Sequence, residues 1–239
     1  MFSKLPCLGL LLVVAGCAVP RGIESPEKIA AIRSVTVISS FEDKFGFGYT
    51  GFTVFNNKSM LVPVDWHMGD YTRYRIVDAL RQRYEIRQPG FDPRAFTGVN
   101  TGRDEANNAA TALTARLKEV AKPGQVDAYL IVISRFTGSL ASRNIGPSEL
   151  NTYYSATVFD GHTLEPIAQA ASARPCRQAV CLLGYERLSQ TIPLPWNGEA
   201  YETLQPFQKE LLRKTVMQLI DESIPFTLQR LKLLSAGAN

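Results

Sequence analysis

The chain has 239 residues, 26 Lys and Arg against 22 Asp and Glu, a formal net charge of +4 and 45% hydrophobic content. These are ordinary globular values, sufficient for one large or two small domains with a sizeable core. The charge is too mild and too scattered for a nucleic-acid binder, which usually carries a clustered basic patch.

The N-terminus, MFSKLPCLGLLLVVAGCAVP, sets Lys4 before an apolar run from Leu8 to Val14 and small residues before Cys17. A positive start, a short apolar stretch and a small-residue cleavage site make a signal peptide, and the run is too short to span a bilayer permanently. Val14-Ala15-Gly16-Cys17 resembles the lipobox of bacterial lipoproteins. That resemblance implies cleavage after residue 16 and lipidation of Cys17, with Ala18 directing the protein to the periplasmic face of the outer membrane. The expected organisation is a signal peptide over 1–16, an anchor and polar tether over 17–32, and one periplasmic domain over 33–239.

Arg33 to Ser40 reads as a central strand of β-branched residues. In FGFGYTGFTVFNN, Gly46, Gly48 and Gly51 have the G-x-G-x-x-G spacing of a dinucleotide loop. That fingerprint needs a helix directly after it, because the pyrophosphate sits on the helix N-terminus. Phe52-Thr53-Val54-Phe55 is β-branched and aromatic instead, so the stretch reads as a hairpin turning at Thr50-Gly51. Such a register puts Phe45, Phe47, Tyr49, Phe52 and Val54 on one apolar side and leaves the Gly46 and Gly48 side nearly bare. The apolar side either covers the domain's own core or docks a partner or a membrane.

Asp70 is placed to cap a helix reaching about Arg83, with Tyr74, Val77, Leu80 and Tyr84 as its stripe. Glu85 to Arg87 is a short strand, and a loop runs from Phe91 to Gly102. A second helix opens at Asp104 or Glu105, passes through Ala110, Leu113, Leu117 and Val120, and stops at Lys122-Pro123-Gly124. Ala128 to Phe136 is a strongly apolar strand. Thr152 to Phe159 and Glu165 to Ala171 flank Asp160-Gly161-His162-Thr163 as a hairpin. Ala173 to Gln205 reads as an ordered excursion, and a helix from Pro206 buries Phe207, Leu211, Val216, Leu219 and Ile220, with Pro225 kinking or restarting it. The expected fold is α/β (α+β): a mixed central sheet with flanking helices, an extra aromatic hairpin and a long C-terminal helix.

Three segments, IRSVTVISSF, LTARLKEVAKPGQVDAYLIVISRFTGSL and TYYSATVFDGHTLEPIAQAAS, resemble an α/β domain found in several bacterial envelope proteins. These are the amino-terminal domain of the Tol-system periplasmic protein, the lipoprotein activator of a penicillin-binding protein, and the curli secretion-channel lipoprotein. Val126 to Val132 matches the family's entry into a central strand, and Ala156 to Ala170, with Asp160, Thr163 and Glu165, matches its hairpin. The hairpin at Phe45 to Asn57 and the excursion from Cys176 to Trp196 are additions to that pattern. The resemblance implies a protein that docks or regulates another envelope protein or assembly.

Catalytic chemistry is poorly marked. The only histidines are His67 and His162, and neither lies near a nucleophile signature such as G-x-S-x-G. Asp65-x-His67 lacks a third metal ligand at a telling spacing, and Asp221-Glu222 reads as a solvated helix face. Cys176 and Cys181 are the cysteines left to the folded domain, and in an oxidising compartment a close pair most often forms a disulfide. The expected function is therefore a non-catalytic lipid-anchored envelope protein without metal, cofactor or nucleic acid, held at the outer membrane and binding an envelope protein. The alternatives are a subunit of an oligomeric outer-membrane pore or secretion complex, and a hydrolase or ligand-binding protein with an unmarked site. Palmitate labelling in cells checks the anchor: wild type incorporates label, and Cys17→Ser loses it.

Overall fold

The structure is a computed structural model that describes residues 25–99, 105–176 and 185–235, with backbone alone over 105–109. In chain order its elements are α1 (Pro26–Ala31), β1 (Ser34–Phe41), β2 (Lys44–Thr50), β3 (Lys58–Pro63), α2 (Met68–Leu80), β4 (Glu85–Ile86) and α3 (Glu105–Val120). They continue as β5 (Ala128–Ser134), β6 (Gly138–Arg143), β7 (Ser148–Asn151), β8 (Ser155–Asp160), β9 (Pro166–Ala171), β10 (Arg174–Pro175), β11 (Tyr185–Glu186), β12 (Ser189–Ile192) and α4 (Pro206–Arg230).

The mixed α+β class is as expected, but two five-stranded sheets stand where one central sheet was predicted. The first has the order β4-β1-β5-β8-β9, with β1 parallel to β4 and β5 and the β5-β8-β9 part antiparallel. The second has the order β12-β7-β6-β2-β3, and within it β2 and β6 are parallel. β1 and β5 leave the first sheet side by side and re-pair as β2 and β6. The switch is held by hydrogen bonds: Glu42 N donates to the Ser134 carbonyl, while Thr137 donates from both its amide and its hydroxyl to the Lys44 carbonyl. Strands β6 and β7 escape sequence reading because only Leu140 and Leu150 mark their buried face, amid Ser, Asn, Gly and Pro.

β1 and β5 are apolar nearly throughout because the first sheet is covered on both faces. On one face α3 packs Leu113 and Leu117 against Ile38, Tyr129, Ile131 and Phe159. The other face, with α1, α2 and α4, joins the inner face of the second sheet in a single core. The outer face of the second sheet is solvated, and there Gly46 and Gly48 make the thin side expected of them. Neither glycine has a positive φ, and a Cβ at Gly48 would meet only the Leu140 carbonyl at 3.9 Å. Sterics therefore do not require glycine at that position.

Several local expectations are corrected. α2 starts at Met68, ahead of Asp70, and buries Met68, Thr72, Ile76 and Leu80 while Tyr74 points to solvent. Its first carbonyl partner is His67, held at φ 50 by the sharp entry from β3. α4 runs unbroken through Pro225, because Leu219, Ile220, Ile224 and Leu228 are buried on both sides of the proline. That burial outweighs the roughly 3 kcal/mol that an interior proline costs. Phe207 of the expected buried face is exposed, and Leu212 takes the inward position. The excursion after Ala173 is partly core: Leu188, Ile192, Leu194, Trp196 and Leu204 are all buried, and β12 forms a sheet edge. Asp221 and Glu222 are not simply solvated. Asp221 accepts from Tyr71 and Arg75, both at 2.8 Å, tying α2 to α4, and Glu222 pairs with the buried Arg174 at 3.1 Å.

The packed body begins before residue 33. Ile29 and Ile32 are buried, the Ser25 amide donates to the Ile167 carbonyl at 3.0 Å, and Lys28 pairs with Asp160 at 2.9 Å. Asp160 also accepts from the His162 and Thr163 amides, both at 2.9 Å, which shapes the β8–β9 turn. Burial pushes its carboxyl up, but the bonds from Thr163, Lys28 and His162 outweigh that and hold it down at about 2. A carboxylate with a depressed folded-state pKa stabilises above its ordinary value and loses that contribution as pH falls. Asp160→Ala is expected to cost about 1–3 kcal/mol at neutral pH. In urea unfolding the gap to wild type should close as pH falls from 3.8 through about 2.

Candidate functional site

The aromatic hairpin exists, but with a different partner strand. β2 pairs with β3, placing Phe45 opposite Val62, Phe47 opposite Met60 and Tyr49 opposite Lys58. The expected pairing of Tyr49 with Phe52 and Phe47 with Val54 is thereby overturned, because residues 51–57 form a loop rather than a second arm. Gly51 makes that loop possible: a Cβ there would lie 2.5 Å from the Asn56 Cβ. Asn57 folds its side-chain carbonyl back onto the Gly51 amide at 3.1 Å. Residues 52–55 are thus carried outward instead of across the sheet.

The five predicted residues separate into two groups. Phe45 and Phe47 are core, edge to face with each other at 5.0 Å; Phe45 packs on Trp66 at 5.1 Å and Phe47 on Trp196 at 5.2 Å. Tyr49 is half-buried, and its hydroxyl donates to Asn144 at 2.9 Å. Phe52 and Val54 are 76% and 75% exposed, and the neighbouring Phe55 is 93% exposed.

A second loop adds to this surface. Thr50 is opposite Arg143 in the β2–β6 pairing, and the Asn144 amide donates to the Thr50 carbonyl at 3.0 Å. The loop after β6 therefore leaves from the same end of the second sheet, bringing Ile145, 75% exposed, beside the first loop. The result is an exposed apolar tip of Phe52, Val54, Phe55 and Ile145, flanked by the exposed Arg143 and by Lys58, whose ammonium donates to the Asn197 carbonyl at 2.9 Å. Residues 49–58 and 143–147 contain no Asp or Glu. Contiguous exposed apolar surface of this kind marks an interaction site more often than scattered single residues do. Phe55 and Ile145 escape sequence reading because each sits alone among turn residues, and only strand pairing brings the two loops together.

Other candidate positions do not converge. His67 and Asp43 lie 3.8 Å apart at the start of α2, while Asp65 lines a separate surface depression with Trp66, Lys209 and Arg213. Burial pushes the Asp43 carboxyl up, against the Met68 amide and the charge of His67. Among the described residues no group of three or more His, Cys, Asp or Glu could hold a metal ion, and no helix is long and apolar enough to cross a membrane. A cleft of about 700 Å³ opens between β7, the end of β9 and β11–β12, beside Glu149, Asn151, Glu186 and Arg187. Cys17 and Cys181 lie outside the described residues; Cys176 ends the segment after β10.

The division between core and tip is measurable by urea unfolding. Phe47→Ala should destabilise by about 3–5 kcal/mol, as buried aromatic truncations do. Phe52→Ser with Phe55→Ser should stay within about 0.5 kcal/mol of wild type, as exposed substitutions do.

No protein-family profile and no curated relative matches the sequence. Among solved structures the chain is similar to a PelC dodecamer from Paraburkholderia phytofirmans, at 9% identity and TM-score 0.31, over 83% of this chain and 86% of that one. It is also similar to protein XCC0632 from Xanthomonas campestris, of the family DUF330, at 9% identity and TM-score 0.38 over 84% of both chains. A third is lipoprotein GNA1162 from Neisseria meningitidis, at 12% identity and TM-score 0.31, over 79% of this chain and 97% of that one. Superpositions this loose carry no argument about what this chain does.

Proposed function

We propose that this chain is a non-catalytic, lipid-anchored protein of the outer membrane's periplasmic face that docks or regulates another envelope protein or assembly. The observation that carries the reading is the tip: a closed loop, fixed by Gly51 and by Asn57 on the Gly51 amide, that holds Phe52, Val54 and Phe55 in solvent at the same end of the sheet as the loop of Ile145. Exposing these side chains forgoes roughly 1.5–3 kcal/mol of burial for each large one, and a partner that covers them recovers that energy. The lipobox-like Val14-Ala15-Gly16-Cys17 supplies the anchor in this reading, and a Cys176–Cys181 bridge would suit the oxidising compartment it implies.

A membrane-spanning role for the hairpin has less support. Its arms of seven and six residues fall short of the roughly 9–11 that a transmembrane strand needs. The docking reading is tested by tagged full-length protein purified from cross-linked cells, with partners quantified by mass spectrometry. A partner that recurs with wild type should fall at least tenfold with Phe52→Ser/Phe55→Ser, at unchanged protein level and melting temperature. A partner retained in full by the double variant would overturn the tip as docking site.

A further inference from the structure

The tip and the point where the tether joins the domain lie at opposite ends of α4. At one end, Ser25 is bonded to Ile167, and Arg33 and Ser34 donate their amides to Asp127 at 2.9 Å, fixing the chain where β1 begins. The C-terminus of α4 reaches this end: the Tyr84 hydroxyl, beside β4, donates to the Leu233 carbonyl at 2.9 Å. One step along, Ser223 lies within hydrogen-bond distance of the Tyr154 hydroxyl, at 2.7 Å, beside the start of β8. Further along, a Cβ at Gly138 would meet both Val216 and Phe45, so the middle of α4 lies over the first residues of β2 and β6. The first turn of α4 carries Lys209 over the Tyr201 ring, and that ring packs on Phe47. β2 and β6 continue beyond this level to Thr50 and Arg143, where the tip begins.

α4 has 25 residues, about 37 Å of helix, and the tip lies past its N-terminal end. From Cys17 to Ser25 there are eight peptide steps, at most about 29 Å of extended chain. A lipid on Cys17 keeps the β1 end of the domain within about 29 Å of the bilayer, and with the domain standing on that end the tip projects from it. The cations Arg143 and Lys58, with no carboxylate in either tip loop, set the charge the occupant must complement.

Resting on the anchored reading above, we infer that the tip engages a protein and not the anchoring bilayer. Its site is an apolar pocket rimmed by carboxylates, presented on the periplasmic side about one α4 length from the membrane. Phe52, Phe55 and Ile145 fill the pocket, and Arg143 and Lys58 meet its rim.

The test uses the full chain, processed in cells and reconstituted in vesicles of phosphatidylethanolamine and phosphatidylglycerol, about 3:1, containing headgroup-nitroxide lipid. A fluorophore is placed at Glu27→Cys or at Phe55→Cys. The label at 27 should lose more than half its emission and the label at 55 less than a tenth. Quenching at 55 equal to that at 27 would make the bilayer the occupant, and a blue shift at 55 growing with surface density would make it a second copy; either overturns the inference. A label at 27 that is not quenched overturns the anchor itself, separately from the docking result. In intact cells, a photo-cross-linker at 55 should give a protein adduct whose yield falls at least fivefold in Lys58→Glu/Arg143→Glu. An undiminished yield overturns the carboxylate rim.

Discussion

Helix α4 lies across both sheets, and the burial of one continuous face of that helix is what makes the two sheets one body. Leu212 and Val216 sit against the second sheet, Ile224 and Leu228 against the first, and all four are nearly inaccessible to solvent. α1 and α2 cover part of the first sheet on this side, and α4 adds the face that both sheets share. The hydrogen-bonded groups along it reinforce the packing. Tyr154 meets Ser223 and Thr227 in the interior, Asp221 holds α2 through Tyr71 and Arg75, and Glu222 holds β10 through Arg174. Burial and the Asp221 bond push the Tyr71 hydroxyl up to about 12, so it remains a donor throughout the physiological range.

The passage of two parallel strands from one sheet to the next follows from the same constraint. Once β1 and β5 are neighbours, their continuations can pair again only if both chains bend at one level, and Ser134, Thr137 and Lys44 supply the hydrogen bonds there. The bend carries β2 and β6 away from the end of the domain where β1 begins. Local sequence chemistry then places an inside-out loop at their far end, with polar Asn57 turned inward to the backbone and aromatic residues turned outward. Function in this reading lives at the end of a rigid support, and mobile linkers are not needed to deliver it.

Residues in the opening strand, in α3 and in the β8–β9 hairpin were legible because their signals are local. β-branched runs, a Pro-Gly stop after Val120 and an Asp160 that accepts from the amides of its own turn each specify the backbone within a few residues, although the left-handed residue of that turn is Leu164 and not the expected Gly161. The hairpin at Phe45 was legible in kind but not in register. An alternating aromatic run is compatible with any partner that offers the same alternation, and the choice of β3 over residues 52–56 turns on contacts with Trp66, Trp196 and Tyr201, remote in sequence. β6 and β7 left no periodic trace, since one buried Leu in each suffices when neighbouring strands provide the rest of the face.

By itself the sequence determined a mixed α+β chain, a Val14-Ala15-Gly16-Cys17 stretch that resembles a lipobox, and an aromatic stretch whose following residues cannot form the helix that a nucleotide loop requires. Those conclusions depend on spacing and on the conformational preferences of adjacent residues. Only the tertiary structure decided which aromatics are core and which are surface. Phe47 and Phe52 are the same side chain in the same short segment, and their difference in burial comes from a loop that closes at Gly51 and from a core assembled by α4. Tertiary packing alone also brought the loop carrying Ile145 to the same end of the sheet as the loop carrying Phe55, because the proximity of two loops about 90 residues apart is a property of strand pairing rather than of either loop.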